Sequence, residues 1–228
     1  MNDAVEPVRA KPPIVRPRDA ASLILLRGHG RDLELLAGRR PGHVKFMPGV
    51  WVFPGGAIDA EDREPWMIET ASASLTLRLR TCARAALRET WEESGVLVGR
   101  RGTPSPSSGL GAIESAYAEA GLIAAMDVLT YVGRAITPTP VFRRFNTRFF
   151  LADSDHVFGE PQSSDELEDV GWHPIGRRPL TPFRDVTQFM LSQAIALREG
   201  TAGPDAPLLC TVRNVRRIRV CREAISDI

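Results

Sequence analysis

Cysteine is scarce in this chain: three in 228 residues. Cys82, Cys210 and Cys221 are an odd number with no paired-thiol spacing, which excludes a disulfide framework or a zinc finger and points to a reducing compartment. Long apolar runs are missing as well. The longest, Ala20 to Leu26 with one serine inside it, is strand-sized and far short of the roughly 20 residues that span a bilayer. No basic stretch followed by an apolar one opens the sequence, so no secretory leader is read. Nor is there charge of one sign: 29 basic and 28 acidic side chains leave a formal net charge of +1. That excludes a global field for nucleic acid or anionic lipid. Internal repeats are absent. What remains, 43% hydrophobic and 25% charged residues, excludes a wholly disordered chain and is enough for a buried core. The expectation is a cytoplasmic protein with no nucleic-acid and no membrane partner.

Residues 1–18 carry Pro7, Pro12, Pro13 and Pro17, and each proline removes a donor and steers its predecessor away from helix. They read as an extended arm, with 19–228 as a single domain. Ala21–Arg27 reads as a buried strand and Asp32–Arg39 as its hairpin partner. A short strand at Trp51–Phe53 stops at Pro54-Gly55-Gly56. Leu79–Ser94 is predicted as a helix with Leu79, Cys82, Ala83 and Ala86 as its apolar stripe and Gly95 as its cap. Val96–Val98 follows as a strand, residues 99–109 as a loop and Ala112–Leu122 as a helix. Strands are predicted at Val128–Gly133 and Asn146–Ala152, then an acidic loop over Asp153–Asp169 and a strand at Val170–His173. Thr181 and Pro182 open a helix to Glu199, and Leu208–Val212 with Arg217–Cys221 form a last hairpin. The order implies α/β or α+β.

The informative stretch is Arg88-Glu89-Thr90-Trp91-Glu92-Glu93-Ser94-Gly95-Val96. Glu89, Glu92 and Glu93 fall on one helix face at spacings of three and four, where like charges repel by about a few tenths of a kcal/mol per pair. They also crowd the helix end that disfavours anions. A divalent cation removes both penalties, and hard oxygen ligands suit Mg²⁺ or Mn²⁺. Arg88 supplies a fixed positive charge that orients a neighbouring carboxylate. Upstream, Gly55 and Gly56 let the backbone approach another group closely, and such a turn can offer a carbonyl to the same metal. Asp59 and Asp62 follow.

Together these residues resemble the Nudix hydrolase family, whose box reads Gly, five residues, Glu, seven residues, Arg-Glu-apolar-any-Glu-Glu-any-Gly-apolar. The second half stands here in Arg88, Glu89, Glu92, Glu93, Gly95 and Val96. Three positions depart from it. Asp62 stands where the family has Glu, residues 63–87 intervene where it has seven, and Thr90 replaces an apolar residue. An insert at about 63–81, together with the runs Leu35–Arg40, Phe46–Gly49 and Val52–Asp62, is similar to the coenzyme A and acyl-CoA diphosphatase branch. Thr137-Pro138 and Arg143–Phe150 fit that branch too.

The resemblance implies a Nudix-type α/β/α sandwich with a mixed β-sheet, an insertion and a C-terminal helical extension over about 181–228. It implies Mg²⁺- or Mn²⁺-dependent cleavage of a nucleoside diphosphate derivative, CoA or acyl-CoA first, giving 3′,5′-ADP and a 4′-phosphopantetheine derivative. The implied metal ligands are Glu89, Glu92, Glu93 and the Gly55 carbonyl. The implied catalytic residues are Arg88, Glu89, Glu92 and, as a candidate base in the loop 165–169, Glu166. Arg39, Arg40, Arg143, Arg144 and Gly56 are candidates for substrate binding, with Arg148 a further arginine of the same run. Trp66 is read as core or as a platform for adenine. In the tail, Arg213, Arg216, Arg217, Arg219 and Arg222 alternate with Val215, Ile218 and Val220, which reads as a half-buried strand with a wet face or an anion contact. The alternatives are a pyrophosphatase for ADP-ribose, a nucleotide sugar or a dinucleotide, and a non-catalytic domain that senses a nucleotide. A homodimer is left open.

Overall fold

Four consecutive apolar side chains, Leu23-Ile24-Leu25-Leu26, decide the architecture, because a strand that is apolar on both faces must be covered on both. The computed structural model describes residues 15–102, 110–139, 143–177, 180–203, 205–212 and 215–220. Its elements in chain order are β1 (Arg18–Arg27), β2 (Glu34–Arg39), β3 (Trp51–Val52), β4 (Gly55–Ala57), α1 (Leu77–Ser94), β5 (Leu97–Arg101), α2 (Ala112–Glu119) and β6 (Leu122–Ala124). Then come β7 (Thr130–Ile136), β8 (Phe145–Asp153), β9 (Val157–Phe158), β10 (Glu168–Pro174), α3 (Asp185–Arg198), β11 (Pro207–Val212) and β12 (Val215–Val220).

The large sheet runs β10-β2-β1-β8-β7-β11-β12, with β3 beside β2 and β4 beside β1. It is mixed: β1 pairs parallel with β8 and antiparallel with β2 and β4, and β11 pairs parallel with β7. A small sheet, β6-β5-β9, lies beside it. β1 is central. Its odd residues Ala21, Leu23 and Leu25 enter one core with α1, α2 and the small sheet. Its even residues Ile24 and Leu26 enter a second core with Met190, Leu191 and Ala194 of α3. Helices therefore cover both faces, as the sandwich requires. Each buried leucine contributes about 1.5–3 kcal/mol over leaving it exposed.

Several predicted boundaries move for identifiable reasons. Only Val15 to Arg18 of the expected arm lie among the described residues, and Arg18 already opens β1, paired with Phe145. Helix α2 stops at Glu119 because Gly121 at φ 64 turns the chain into β6. The expected acidic loop 153–169 contains β9, whose Phe158 pairs with Leu97. Helix α3 starts at Asp185, preceded by Arg184, and Thr181 does not cap it. Instead Pro182 accepts a hydrogen bond from the Trp51 amide at 3.3 Å, and Phe183 bridges Trp51. The C-terminal extension is helix α3 followed by the hairpin of β11 and β12, in the expected order. Val215 and Ile218 on edge strand β12 are exposed, so this strand is not the half-buried one expected. Arg213, Arg222 and Cys221 lie outside the described residues. No helix among the described residues is long and apolar enough to cross a membrane.

Candidate functional site

Helix α1 is fixed at both ends. The Thr76 hydroxyl accepts from the Leu79 amide at 3.3 Å. At the other end Gly95, at φ 72, donates to the Trp91 carbonyl at 2.8 Å, a left-handed cap that a side chain would strain. Thr90 is fully buried where the family has an apolar residue. Its hydroxyl donates to the Ala86 carbonyl at 2.7 Å, so the polar atom is satisfied within the helix.

The last two turns of α1 lie against β4. Gly55 donates its amide to a Glu93 carboxylate oxygen at 2.7 Å. A β carbon at Gly55 would come within 2.5 Å of the Ala21 carbonyl oxygen, so β4 sits against β1 only because the side chain is missing. A β carbon at Gly56 would lie 2.4 Å from the Glu89 carboxylate. Gly56, expected to bind substrate, is thus the floor beneath Glu89.

Arg88 is buried and all its donors are used. It reaches both Asp62 oxygens (3.1 and 2.9 Å), Glu89 (3.1 Å), Glu92 (2.8 Å) and the Ala57 carbonyl (3.0 Å). Glu61 and Asp59 stand further out, at 3.6 and 3.9 Å. One guanidinium therefore faces five carboxylates. Burial works against its charge, but the Asp62 bond and the Asp62, Glu89 and Glu92 charges outweigh that and raise its pKa.

The two glutamates over the glycines are the unusual ones. Burial pushes the Glu93 carboxyl up to about 8, helped by the charges of Glu89 and Glu166 and opposed by the Gly55 amide and Arg40. Burial pushes Glu89 up to about 7, opposed by Arg88 and helped by Glu92 and Glu166. Glu92 is raised too, by burial first, with Arg88 opposing. Glu89 and Glu93 lie over the two glycines, and Glu89 and Glu92 both accept from the same Arg88 nitrogen. Among the described residues no three His, Cys, Asp or Glu side chains converge closely enough to hold an ion.

The remaining predicted residues divide. Glu166 is close enough for its charge to raise Glu89 and Glu93, and Arg40 close enough to lower Glu93. Arg40 also donates to the Phe46 carbonyl at 3.0 Å, pinning the loop after β2. Arg39 instead pairs with Asp169 at 2.8 Å and Glu168 at 3.4 Å. Arg144 holds the Thr137 and Val15 carbonyls at 3.1 and 2.7 Å, and Arg143 is exposed. Arg148 is buried beside Asp19 at 2.7 Å. Trp66 is buried against Tyr117, with ring centroids 6.2 Å apart, so it is core and no platform for adenine.

Sequence reasoning missed one pattern. Arg80, Arg84 and Arg88 recur every fourth residue along one face of α1, and all three reach the segment 62–75. Arg80 donates to the Leu75 and Ser72 carbonyls at 3.2 and 2.7 Å. Arg84 makes two bonds to Glu69, both 2.6 Å, and one to the Asp62 carbonyl at 3.2 Å. The spacing of four was the available signal. Asp62 is thereby a clamp on Arg88, fully buried, rather than a carboxylate aimed at a metal.

Comparison with known proteins gives the following. No family model matches the chain. A protein of Caenorhabditis elegans named "Putative nudix hydrolase 7" is 30% identical over 165 residues, an alignment covering 68% of this chain and 50% of the relative. The chain thus spans about half the length of that curated relative. The crystal structure of a NUDIX hydrolase from Alicyclobacillus acidocaldarius is 29% identical and superposes with a TM-score of 0.59, covering 84% of this chain and 100% of the other. The NUDIX domain of Shewanella oneidensis NrtR, solved with ADP ribose, superposes with a TM-score of 0.50 at 16% identity, covering 81% of this chain and 90% of the other, a likeness of fold alone. The fold is the Nudix α/β/α arrangement.

Proposed function

The chain belongs to the Nudix hydrolase family, and we propose that it hydrolyses the diphosphate linkage of a nucleoside diphosphate derivative with the help of Mg²⁺ or Mn²⁺, CoA or an acyl-CoA being the substrate. The observation that carries the reading is the excess of carboxylate at one spot: Glu89 and Glu93 share a face over two glycines, Glu166 stands near both, and Arg88 is the guanidinium among five carboxylates. Such a set of hard oxygen donors fits a divalent cation. Glu89, Glu92, Glu93 and the Gly55 carbonyl are the groups that would hold it. When bound, the cation supplies neutralisation of the diphosphate oxygens and a lowered pKa for water.

The chain's own groups do the rest. Arg88 restrains Glu89 and Glu92, and its fixed charge keeps the crowded carboxylates from splaying. Glu166, on the loop facing the cluster, accepts a proton from the water that attacks phosphorus. The bond between that phosphorus and the bridging oxygen then breaks, and the bridging oxygen leaves with the other phosphate. Arg40, whose charge acts on Glu93 and whose loop also carries His43 and Lys45, would meet substrate phosphate. The CoA reading rests on the runs Leu35–Arg40 and Val52–Asp62 with the insert between box halves. A cytoplasmic location belongs to the same reading, supported by the scarcity of cysteine.

The test is a panel of CoA, acyl-CoA, dephospho-CoA, ADP-ribose and nucleoside triphosphates with Mg²⁺ or Mn²⁺. CoA cleaved to 3′,5′-ADP is the expected result. Cleavage of ADP-ribose with CoA untouched would overturn the substrate and keep the chemistry. No cleavage of any member would leave a nucleotide-sensing domain.

A further inference from the structure

The insert between β4 and α1 is fastened to the helix by a buried ion pair that takes no part in the steps described above. Arg84 is 1% exposed, and both its terminal arms and its Nε are bonded, two of them to Glu69 at 2.6 Å. Burying a guanidinium and a carboxylate costs several kcal/mol per ion before their attraction is counted, and apolar residues of similar volume often do as well or better for stability alone. A pair at such a place therefore calls for a role in geometry. Glu69 is itself fixed from outside. Its carboxylate accepts the Trp66 amide at 3.4 Å, and its neighbours join β6 through Ala124 amide to Ile68 carbonyl at 2.7 Å and Thr70 amide to Ala124 carbonyl at 2.8 Å.

What Arg84 holds with its remaining arm is the carbonyl of Asp62, at 3.2 Å. One helical turn later Arg88 takes the carboxylate of the same residue, at 3.1 and 2.9 Å. Residue 62 is thus gripped at both its main chain and its side chain by two arginines of α1. We propose that Glu69 and Arg84 are positioning residues: by fixing the Asp62 main chain they place its carboxylate on Arg88, and through Arg88 they set the glutamates Glu89 and Glu92. The insert is then part of the active-site scaffold rather than a spacer, a role that rests on the hydrolase reading above for its catalytic consequence but not for its structural one.

The structural step can be read without substrate or metal, from the exchange rate of the Arg88 Nε–H in the full chain labelled with ¹⁵N-arginine, the signal being identified by its loss in Arg88→Lys. Glu69→Gln should let Arg88 Nε–H exchange about tenfold faster, since the bond to Asp62 then opens more often. Arg84→Lys, which keeps a positive charge beside Glu69 but cannot make all three bonds, should do the same and serves if Glu69→Gln does not fold. An Arg88 exchange rate within about twofold of wild type in either folded variant would overturn the proposal. On whichever diphosphate the wild type cleaves, Glu69→Gln should lower kcat about tenfold with KM within about twofold, whereas an unchanged kcat per folded molecule would also overturn it. A wild type inactive on the whole panel would count against the hydrolase reading and leave the exchange comparison intact.

Discussion

Gly56 lies directly beneath the carboxylate of Glu89, so close that a β carbon there would stand 2.4 Å from it. The obstacle is the far end of a flexible side chain, not backbone, so alanine at this position displaces Glu89 rather than β4. Gly56→Ala should therefore fold, with a melting temperature within a few degrees of wild type, about what a sub-kcal/mol change gives. Its kcat should fall by about tenfold or more, because misplacing a working group by about 1 Å can cost about a hundredfold. Activity equal to wild type would show that Glu89 need not stand where it does.

Asp62 tests the clamp on Arg88. It is fully buried with both oxygens on the guanidinium. Asp62→Asn leaves the guanidinium buried without its bidentate partner, and breaking one side of a buried pair costs about 3–5 kcal/mol. Urea unfolding should report a loss of that order. A loss below about 0.5 kcal/mol, the range of an ordinary surface substitution, would contradict the clamp.

The raised carboxyls make a prediction about pH with a definite sign. Glu89 and Glu93 are raised from 4.5 to about 7 and about 8. Between these values the native chain keeps protons that the unfolded chain has released, so stability falls as pH rises through this window. Their contribution is complete below about pH 4.5 and lost above about pH 8. In Glu93→Gln the larger share of that fall disappears. With metal chelated, unfolding free energies from about pH 5 to about pH 9 should show wild type losing stability relative to Glu93→Gln, by a few kcal/mol on the order expected for such shifts. A difference between the two that is flat across this range would mean that Glu93 does not hold its proton.

Much of the site was legible because its signals are local. Arg88, Glu89, Glu92, Glu93 and the Gly95 cap lie within two helical turns, where spacing alone assigns faces, and the burial of both faces of β1 follows from four apolar residues in a row. What could not be read is who pairs with whom across the chain. Arg39 meets Asp169 130 positions away, and Arg88 meets Asp62 26 positions away. With 29 basic and 28 acidic residues, nothing in the sequence singles out those partners. The sequence alone therefore does not show that Arg39 pairs with β10 or that Arg144 holds backbone carbonyls. The start of α3 differs from the expected one for a similar reason: Thr-Pro suits a helix entry locally, but Pro182 and Phe183 are engaged by Trp51.

The central claim is that Glu93 and its neighbours hold a divalent cation for the reaction, and Mn²⁺ titration followed by the resonance of the free ion tests it without any substrate. At about pH 8.5, above the Glu93 value of about 8, the wild type should remove Mn²⁺ from the free pool, and Glu93→Gln should bind it about tenfold more weakly or worse, the cost of about 1.4 kcal/mol or more. Equal binding by the two proteins, or none by the wild type, would contradict the account.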